Sequence, residues 1–523
     1  MNERVRLGTR MAACFAFGAW CFLSVWVEVQ QADFYLVKYS PLHATGLPAL
    51  GGQLTVSAMA FLAWGWFERS RWRRLGIALF LASALIPLQL VRYAAARALP
   101  PDWFPVLARG PGRMMLLTIA ASGSLLILAL FLFKSRPSAR WLRRTLLYSC
   151  PLLAAVIATG MARRPWPVAD YQDGATAALL PANPGPRVVW ILFDEMSQAI
   201  AFDRRPQGLA LPNLDRMRNE GFYATRASAP GAATIVSVPS LITGREVTEA
   251  VSDGPRRLWL KLKGEDGRQS WEALPNIFDA ARQAGRNPAV VGWYHPYCRL
   301  FSTRLAGCEW TAASANGLRE PVESGSLFDL ETYAFRRQAS VFREYLPGSS
   351  PGRFDREQKV KRMRTLLEQA RRTAANPAFG LVLLHLPTPH PPGVYDPATG
   401  RLDSTSPHGY ADGLALADRT LGEIREALEQ AGLAERTSLL VSSDHGWRTE
   451  FWRGSQFWTA ADDDIARGDT MGSPFLLSLP GQKQAVRYDA PFNTIVSERI
   501  LMAILAGRLT HPADIASYID SPR

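Results

Sequence analysis

Acidic residues are scarce at one end of this chain. Its first 165 residues hold 5 Asp or Glu against 19 Lys or Arg, whereas the remaining 358 carry 41 against 40. The formal net charge of +13 therefore belongs to the N-terminal stretch. A basic surplus is missing where a folded nucleic-acid binder would need it, so nucleic acid is excluded as a partner. Charged residues of both signs make up only 20% of the sequence while hydrophobic residues make up 48%, with 16 Trp, which excludes a disordered chain. Cysteine is sparse, with 5 in 523 residues. Cys14, Cys21 and Cys150 sit in apolar runs, where a small apolar filler role is the default. Cys298 and Cys308 are the only pair beyond them, and in an oxidising compartment an even pair reads as a disulfide, with free thiols or a metal pair as alternatives.

Five uncharged apolar stretches are present instead: Met11 to Val27, Tyr39 to Phe67, Leu75 to Val91, Met114 to Phe133 and Thr145 to Ala162. Each approaches or exceeds the roughly 17 to 25 residues that span a hydrocarbon core as a helix. The intervening charges alternate in density. Twelve cations, from Arg4, Arg6, Arg10, Arg69 to Arg74 and Lys134 to Arg144, fall on one side, and seven, from Lys38, Arg92 to Arg113, Arg163 and Arg164, on the other. The denser side is expected to be cytoplasmic, and an odd number of spans then exports the C-terminal portion. The expectation is a bacterial inner-membrane, multi-pass protein with a cytoplasmic N-terminus, a five-helix module over residues 1–165, a linker at 166–186 and a periplasmic domain over 187–523. Trp103 with Phe104, and Trp166, suit interfacial anchors or loop packing.

In the exported part, Arg187 to Phe193, Pro288 to Tyr294, Phe379 to His385 and Thr437 to Ser442 are short continuous apolar runs, the pattern of strands buried on both faces. Ser473 to Leu479 is a fifth candidate strand. Pro212 to Glu220 and Pro275 to Ala284 are each followed by Gly, and Ala411 to Ala431 carries helical periodicity. Alternating strands and helices predict an α/β domain with a mostly parallel central sheet, in which ligands bind beyond the carboxyl ends of the strands. Asp194 and Glu195, His385 and His390, and Asp444 with His445 all fall at such ends. Carboxylates with imidazole suit zinc or manganese better than calcium.

These segments resemble the alkaline phosphatase and sulfatase superfamily. Val188 to Glu195 is similar to its opening metal-binding strand, Leu211 to Gly221 to its "PNLDRLAxEG" helix, Thr234 to Arg245 to its nucleophile segment ending in "TGR", His385 to Pro392 to its "HxxxxHxP" loop, and Ser443 to Gly446 to its "SDHG" motif. The formylglycine motif of sulfatases is missing, because Thr234 occupies the position of its Cys or Ser and no local Arg follows. A Thr there resembles the membrane phosphoethanolamine transferases and the lipoteichoic acid synthases, both of which carry five spans ahead of an exported catalytic domain. The resemblance implies Thr234 as nucleophile and metal ligand, with Asp444, His445 and either Asp194 or Glu195 completing the metal set. It further implies His390 as a phosphate-binding or proton-donating group, while His295 and Arg448 are further substrate-side candidates.

Between Gly446 and Gly481 there is neither His nor Lys, unlike those relatives, leaving Arg448, Arg453 and Arg467 as the available cations. Each residue also has a bland reading: Thr234 as a helix cap, Ser237 and Ser240 as packing or capping groups, His385 as a supporting residue, His408 as a loop residue. The reading that joins these features is a metal-dependent transferase. It moves a phosphorylated headgroup from a membrane lipid donor, through Thr234, to an envelope glycan or lipid. A hydrolase with water as acceptor and an inactive envelope sensor or scaffold are the alternatives.

Overall fold

The computed structural model describes residues 3–22, 25–26, 34–36, 46–69, 135–162, 173–181, 184–254, 256–312, 326–343, 350 and 352–521. The chain divides into two compact units: residues 1–32, 39–168 and 314–349 form one, and residues 33–38, 169–313 and 350–523 the other. The division is interleaved rather than made at one point along the sequence.

The first unit is helical. Its described helices are Glu3–Cys21, Leu47–Arg69, Ser135–Ala162 and Leu327–Arg343. Small side chains at Ala13, Ala16 and Ala19 are buried together with Phe22, Leu153 and Ile157, and Trp26 donates its indole N–H to Gln53 Oε1 at 2.7 Å. Among the described residues, one helix is long and apolar enough to cross a membrane, over Leu47–Trp66. The first apolar run is helical over Glu3–Cys21, and the last contributes a shorter apolar helix, Leu147–Ala162. The expected spans Leu75 to Val91 and Met114 to Phe133, and the aromatics Trp103, Phe104 and Trp166, lie outside the described residues. The expected five-helix module is thus not supported beyond one qualifying helix.

The second unit is an α/β domain built on an eight-stranded, mostly parallel sheet. Its strands are β1 (Arg187–Asp194), β2 (Phe222–Ala224), β3 (Pro288–Tyr294), β4 (Gly307–Ala312), β5 (Leu381–Pro389), β6 (Thr437–Ser443), β7 (Phe475–Ser478) and β8 (Val486–Tyr488). Their order is β8-β2-β7-β6-β1-β5-β3-β4. The five strands from β6 to β4 are mutually parallel, and β7 pairs antiparallel with β6.

Strand β1 is central, and its alternation explains both cores. Val188, Trp190 and Leu192 face a layer containing Val238, Leu241, Ile500 and Leu501, while Val189, Ile191 and Phe193 face one containing Leu214, Leu366, Leu414 and Leu421. At its start, the buried Arg187 guanidinium donates to Phe379 O at 2.7 Å, Ala374 O and Asn376 O at 3.0 Å, and Thr437 Oγ1 at 3.0 Å. One cation therefore ties together the entry ends of β1, β5 and β6. Their exit ends then share an edge, with Phe193 opposite Ser443 and Asp194 opposite Pro389.

Residues 173–180, expected as part of a free tether, are held against this unit. Asp173 pairs with buried Arg299 at 3.0 Å, and Leu180 exchanges hydrogen bonds with the Asn287 side chain at 2.9 and 3.1 Å. Cys298 and Cys308 are joined as a disulfide between the short helix Tyr297–Leu300 and β4. A ten-residue separation closes a short loop. Replacing both cysteines with Ala is expected to destabilise this unit by about 2–3 kcal/mol. An unaltered unfolding midpoint in the double variant would contradict that role.

Candidate active site

The site is assembled from three strand ends and one helix start. Strand β1 ends in Asp194, and the chain turns at once because Glu195 adopts a left-handed φ of 62°. That conformation costs a non-glycine residue on the order of 1–3 kcal/mol. Here it separates two consecutive carboxylates, of which only Glu195 has hydrogen-bond partners. Glu195 Oε2 accepts from the Trp452 indole at 2.6 Å, and Oε1 is bound by the Arg448 guanidinium. Asp194 is fully buried and neither of its oxygens has a hydrogen-bond partner. Burial, and secondarily the Asp444 and Glu195 charges, push its carboxyl well above the usual carboxylate range.

After β6, Asp444 Oδ1 accepts from the backbone N–H groups of His445 at 2.8 Å and Glu195 at 3.2 Å, while its Oδ2 is buried without a partner. His445 donates from Nδ1 to Gly446 O at 2.9 Å, which leaves a lone pair on Nε2. That lone pair lies 3.3 Å from Thr234 Oγ1, 3.5 Å from Asp444 Oδ2 and 3.8 Å from Asp194 Oδ1. Gly446 is required by packing, since a Cβ there would lie 2.4 Å from both Met471 Cα and Thr470 O.

Thr234 opens the helix Thr234–Thr243, whose preceding residue Ala233 is extended and offers no side-chain cap. At such a start the first N–H groups lack intrahelical acceptors and the helix dipole favours an anion. Ser237, one turn later, donates to the Asp444 carbonyl; Ser240 bonds back to Val236 O at 2.9 Å. Both serines therefore serve packing.

Histidines line the rest. His385 Nδ1 lies 2.8 Å from the Tyr297 hydroxyl, and the ring shares a potential ligand cluster with Asp194 and Asp444. His295 follows Tyr294, another left-handed residue with φ 68°, and its Nε2 lies 3.2 Å from Thr234 O. Half-buried His390 donates from Nδ1 to Pro391 O at 2.6 Å, with Trp293 and Trp452 edge-on at 5.0 Å. Burial, then the Lys359 and Arg448 charges, push its pKa well down, so the ring is neutral with Nε2 as an acceptor. His408 is not brought here; it pairs with Asp403 at 3.1 Å and Asp412 at 3.5 Å.

Sequence reasoning missed Lys359. It lies on the long helix Arg353–Ala374, donates to the His390 carbonyl and is buried, its pKa pushed down to about 7 by burial against the opposing pull of Asp194 and Glu195. The signal was present: Arg356, Lys359, Val360, Met363, Leu366 and Ala370 form a buried stripe at helical spacing. Tyr297 and Trp452, which hold His385 and Glu195, carried no such pattern.

Three unpartnered oxygens of two buried carboxylates, both of Asp194 and one of Asp444, converge with an imidazole lone pair and a hydroxyl, an arrangement that positive charge stabilises. The donor chemistry fits a divalent metal, and both potential ligand clusters contain Asp194. A parallel sheet with this site at its carboxyl edge defines an enzyme of the sulfatase and phosphatase kind, whose superfamily uses a divalent metal. The chain belongs to the sulfatase family, whose model matches residues 186–503. No curated protein matches the sequence. Among solved structures, it is similar to a phosphonate monoester hydrolase of Agrobacterium radiobacter, at 16% identity over 62% of this chain and 77% of that one, with a TM-score of 0.36. It is also similar to a protein in the alkaline phosphatase superfamily from Vibrio parahaemolyticus, at 14% over 64% and 72%, TM-score 0.37. A third is the PsFucS1 sulfatase from Pseudoalteromonas sp., at 16% over 62% and 68%, TM-score 0.38.

Chelator treatment is expected to lower the unfolding temperature, and manganese or zinc at a hundredfold excess over Kd to restore about 2.7 kcal/mol. In Asp444→Asn that metal-dependent increment should vanish. An increment of wild-type size in this variant would place the metal elsewhere.

Proposed function

We propose that this enzyme transfers a phosphorylated headgroup from a membrane lipid, through a covalent Thr234 intermediate, to an envelope glycan or lipid. The observation that carries the reading is the placement of Thr234 Oγ1, at a helix start and 3.3 Å from an imidazole lone pair that itself faces two buried aspartates. A formylglycine precursor is absent from this position, so the threonine hydroxyl is the nucleophile.

Thr234, Asp194, Asp444 and His445 would hold the metal, zinc or manganese. Asp194 is preferred to Glu195 because the oxygens of Glu195 are taken by Arg448 and Trp452. A metal bound there would acidify the Thr234 hydroxyl and neutralise the phosphoryl oxygens. Thr234 Oγ1 attacks phosphorus, the bond from phosphorus to the lipid alcohol breaks, and the proton lost from Thr234 ends on that alcohol. In the second half, His390 Nε2 takes the proton of the acceptor hydroxyl as its oxygen displaces Thr234 from phosphorus. The same proton ends on Thr234 Oγ1 and restores the hydroxyl. Lys359 and Arg448 supply the positive charge that this chain lacks as His or Lys between Gly446 and Gly481.

The membrane assignment is supported by the apolar helix Leu47–Trp66 and by the cation distribution along residues 1–165, which suit a multi-pass anchor with the sulfatase-like unit outside the cytoplasm.

Purified full-length protein, incubated with a short-chain phosphatidylethanolamine and manganese, is expected to show a headgroup-phosphate adduct on the peptide containing Thr234 by mass spectrometry. Thr234→Ala should show none and should lose about a thousandfold or more in turnover. An adduct that clears in water without an acceptor alcohol would replace the transferase with a hydrolase. Absence of both adduct and bound metal would leave an inactive scaffold.

A further inference from the structure

Residues 33–38 belong to the catalytic unit although they lie between the first two apolar runs of the sequence. Within them Phe34–Leu36 forms a single 3-10 turn, and Tyr35 is fully buried in the core layer that also holds Trp190, Val238 and Trp271. The Tyr35 hydroxyl lies 2.8 Å from His295 Nδ1, and Nε2 of the same ring lies 3.2 Å from the backbone carbonyl oxygen of Thr234. The ring is clamped by edge contacts to Trp271 at 4.8 Å and Tyr35 at 5.9 Å.

The hydrogen-bond directions follow from the groups present. A carbonyl only accepts, so Nε2 of the neutral ring carries the proton and Nδ1 accepts from the Tyr35 O–H. The Thr234 carbonyl thus sets the His295 tautomer, and the Tyr35 hydroxyl fills the other ring nitrogen and holds the ring in place against that carbonyl. With the hydroxyl removed, Nδ1 becomes a buried acceptor without that donor. The ring then loses its second anchor and is free to shift on the Thr234 carbonyl.

We infer that Tyr35 is a positioning residue for the nucleophile: acting through His295, it anchors the first residue of the helix Thr234–Thr243 and so fixes Thr234 Oγ1 at the metal-facing edge of the sheet. The inference rests on the reading of Thr234 as the nucleophile.

The test is Tyr35→Phe in full-length protein carrying 15N-labelled histidine, with turnover measured on bis-p-nitrophenyl phosphate and manganese present. The wild-type His295 ring is expected to show the Nε2–H tautomer by NMR with an Nδ1 signal shifted by its hydrogen bond, and the variant the same tautomer with that Nδ1 shift lost. Turnover number should fall roughly tenfold, with KM nearly unchanged and the unfolding temperature lowered by about a few degrees. Wild-type histidine signals in Tyr35→Phe, or a lowered unfolding temperature with unchanged turnover number, would overturn the inference. If the wild-type protein neither turns over the ester nor forms a Thr234 adduct, the functional reading fails. The histidine signals still decide whether Tyr35 sets the ring.

Discussion

Two buried carboxylates, Asp194 and Asp444, are forced together by the parallel register of the two central strands. Phe193 lies opposite Ser443, so the residues that follow each strand emerge side by side at one edge. In a low-dielectric interior two like charges at close range are untenable without compensation. The surroundings answer that constraint. Backbone N–H groups converge on one Asp444 oxygen, Arg448 neutralises neighbouring Glu195 while the Trp452 indole donates to it, and His445 turns its lone pair rather than its proton inward. What is left unpaired is a donor set that a divalent cation completes.

Holding that set open requires rigidity, and the second unit supplies it at both ends of the sheet. Arg187 binds the entry ends of three strands through four acceptors, so the exit ends cannot slip relative to one another. At the exit ends, Glu195 after Asp194 and Tyr294 before His295 adopt left-handed backbone. Strain of this kind persists only where surrounding structure over-determines it. His295, its pKa pushed down to about 3 by burial, and His390, pushed well down by burial, are held neutral, so they act as hydrogen-bonding groups with defined tautomers rather than as diffuse positive charge.

Much of the sheet was legible because a buried parallel strand is a continuous apolar run. Arg187–Asp194, Pro288–Tyr294 and Thr437–Ser443 match their expected bounds to within a residue, and Pro212–Glu220 matches its own. The antiparallel β7 and the edge strand β4 were less readable, since pairing partner and direction are not local properties. The long helix Arg353–Ala374 escaped notice because its surface is so highly charged that the buried stripe is diluted. Lys359 was lost with it.

The sequence alone determined which residues could do chemistry: a threonine before a helical run, acids and imidazoles after apolar runs, and a cationic bias confined to the first 165 residues. These are local features, set by residue type and spacing. Only the tertiary structure showed that the Glu195 oxygens are held by Arg448 and Trp452 while those of Asp194 are not, because that depends on where two residues of a distant segment point. It likewise brought Tyr35 to His295 across 260 positions. Such contacts are set by packing around a common core, and no local pattern in the chain encodes them.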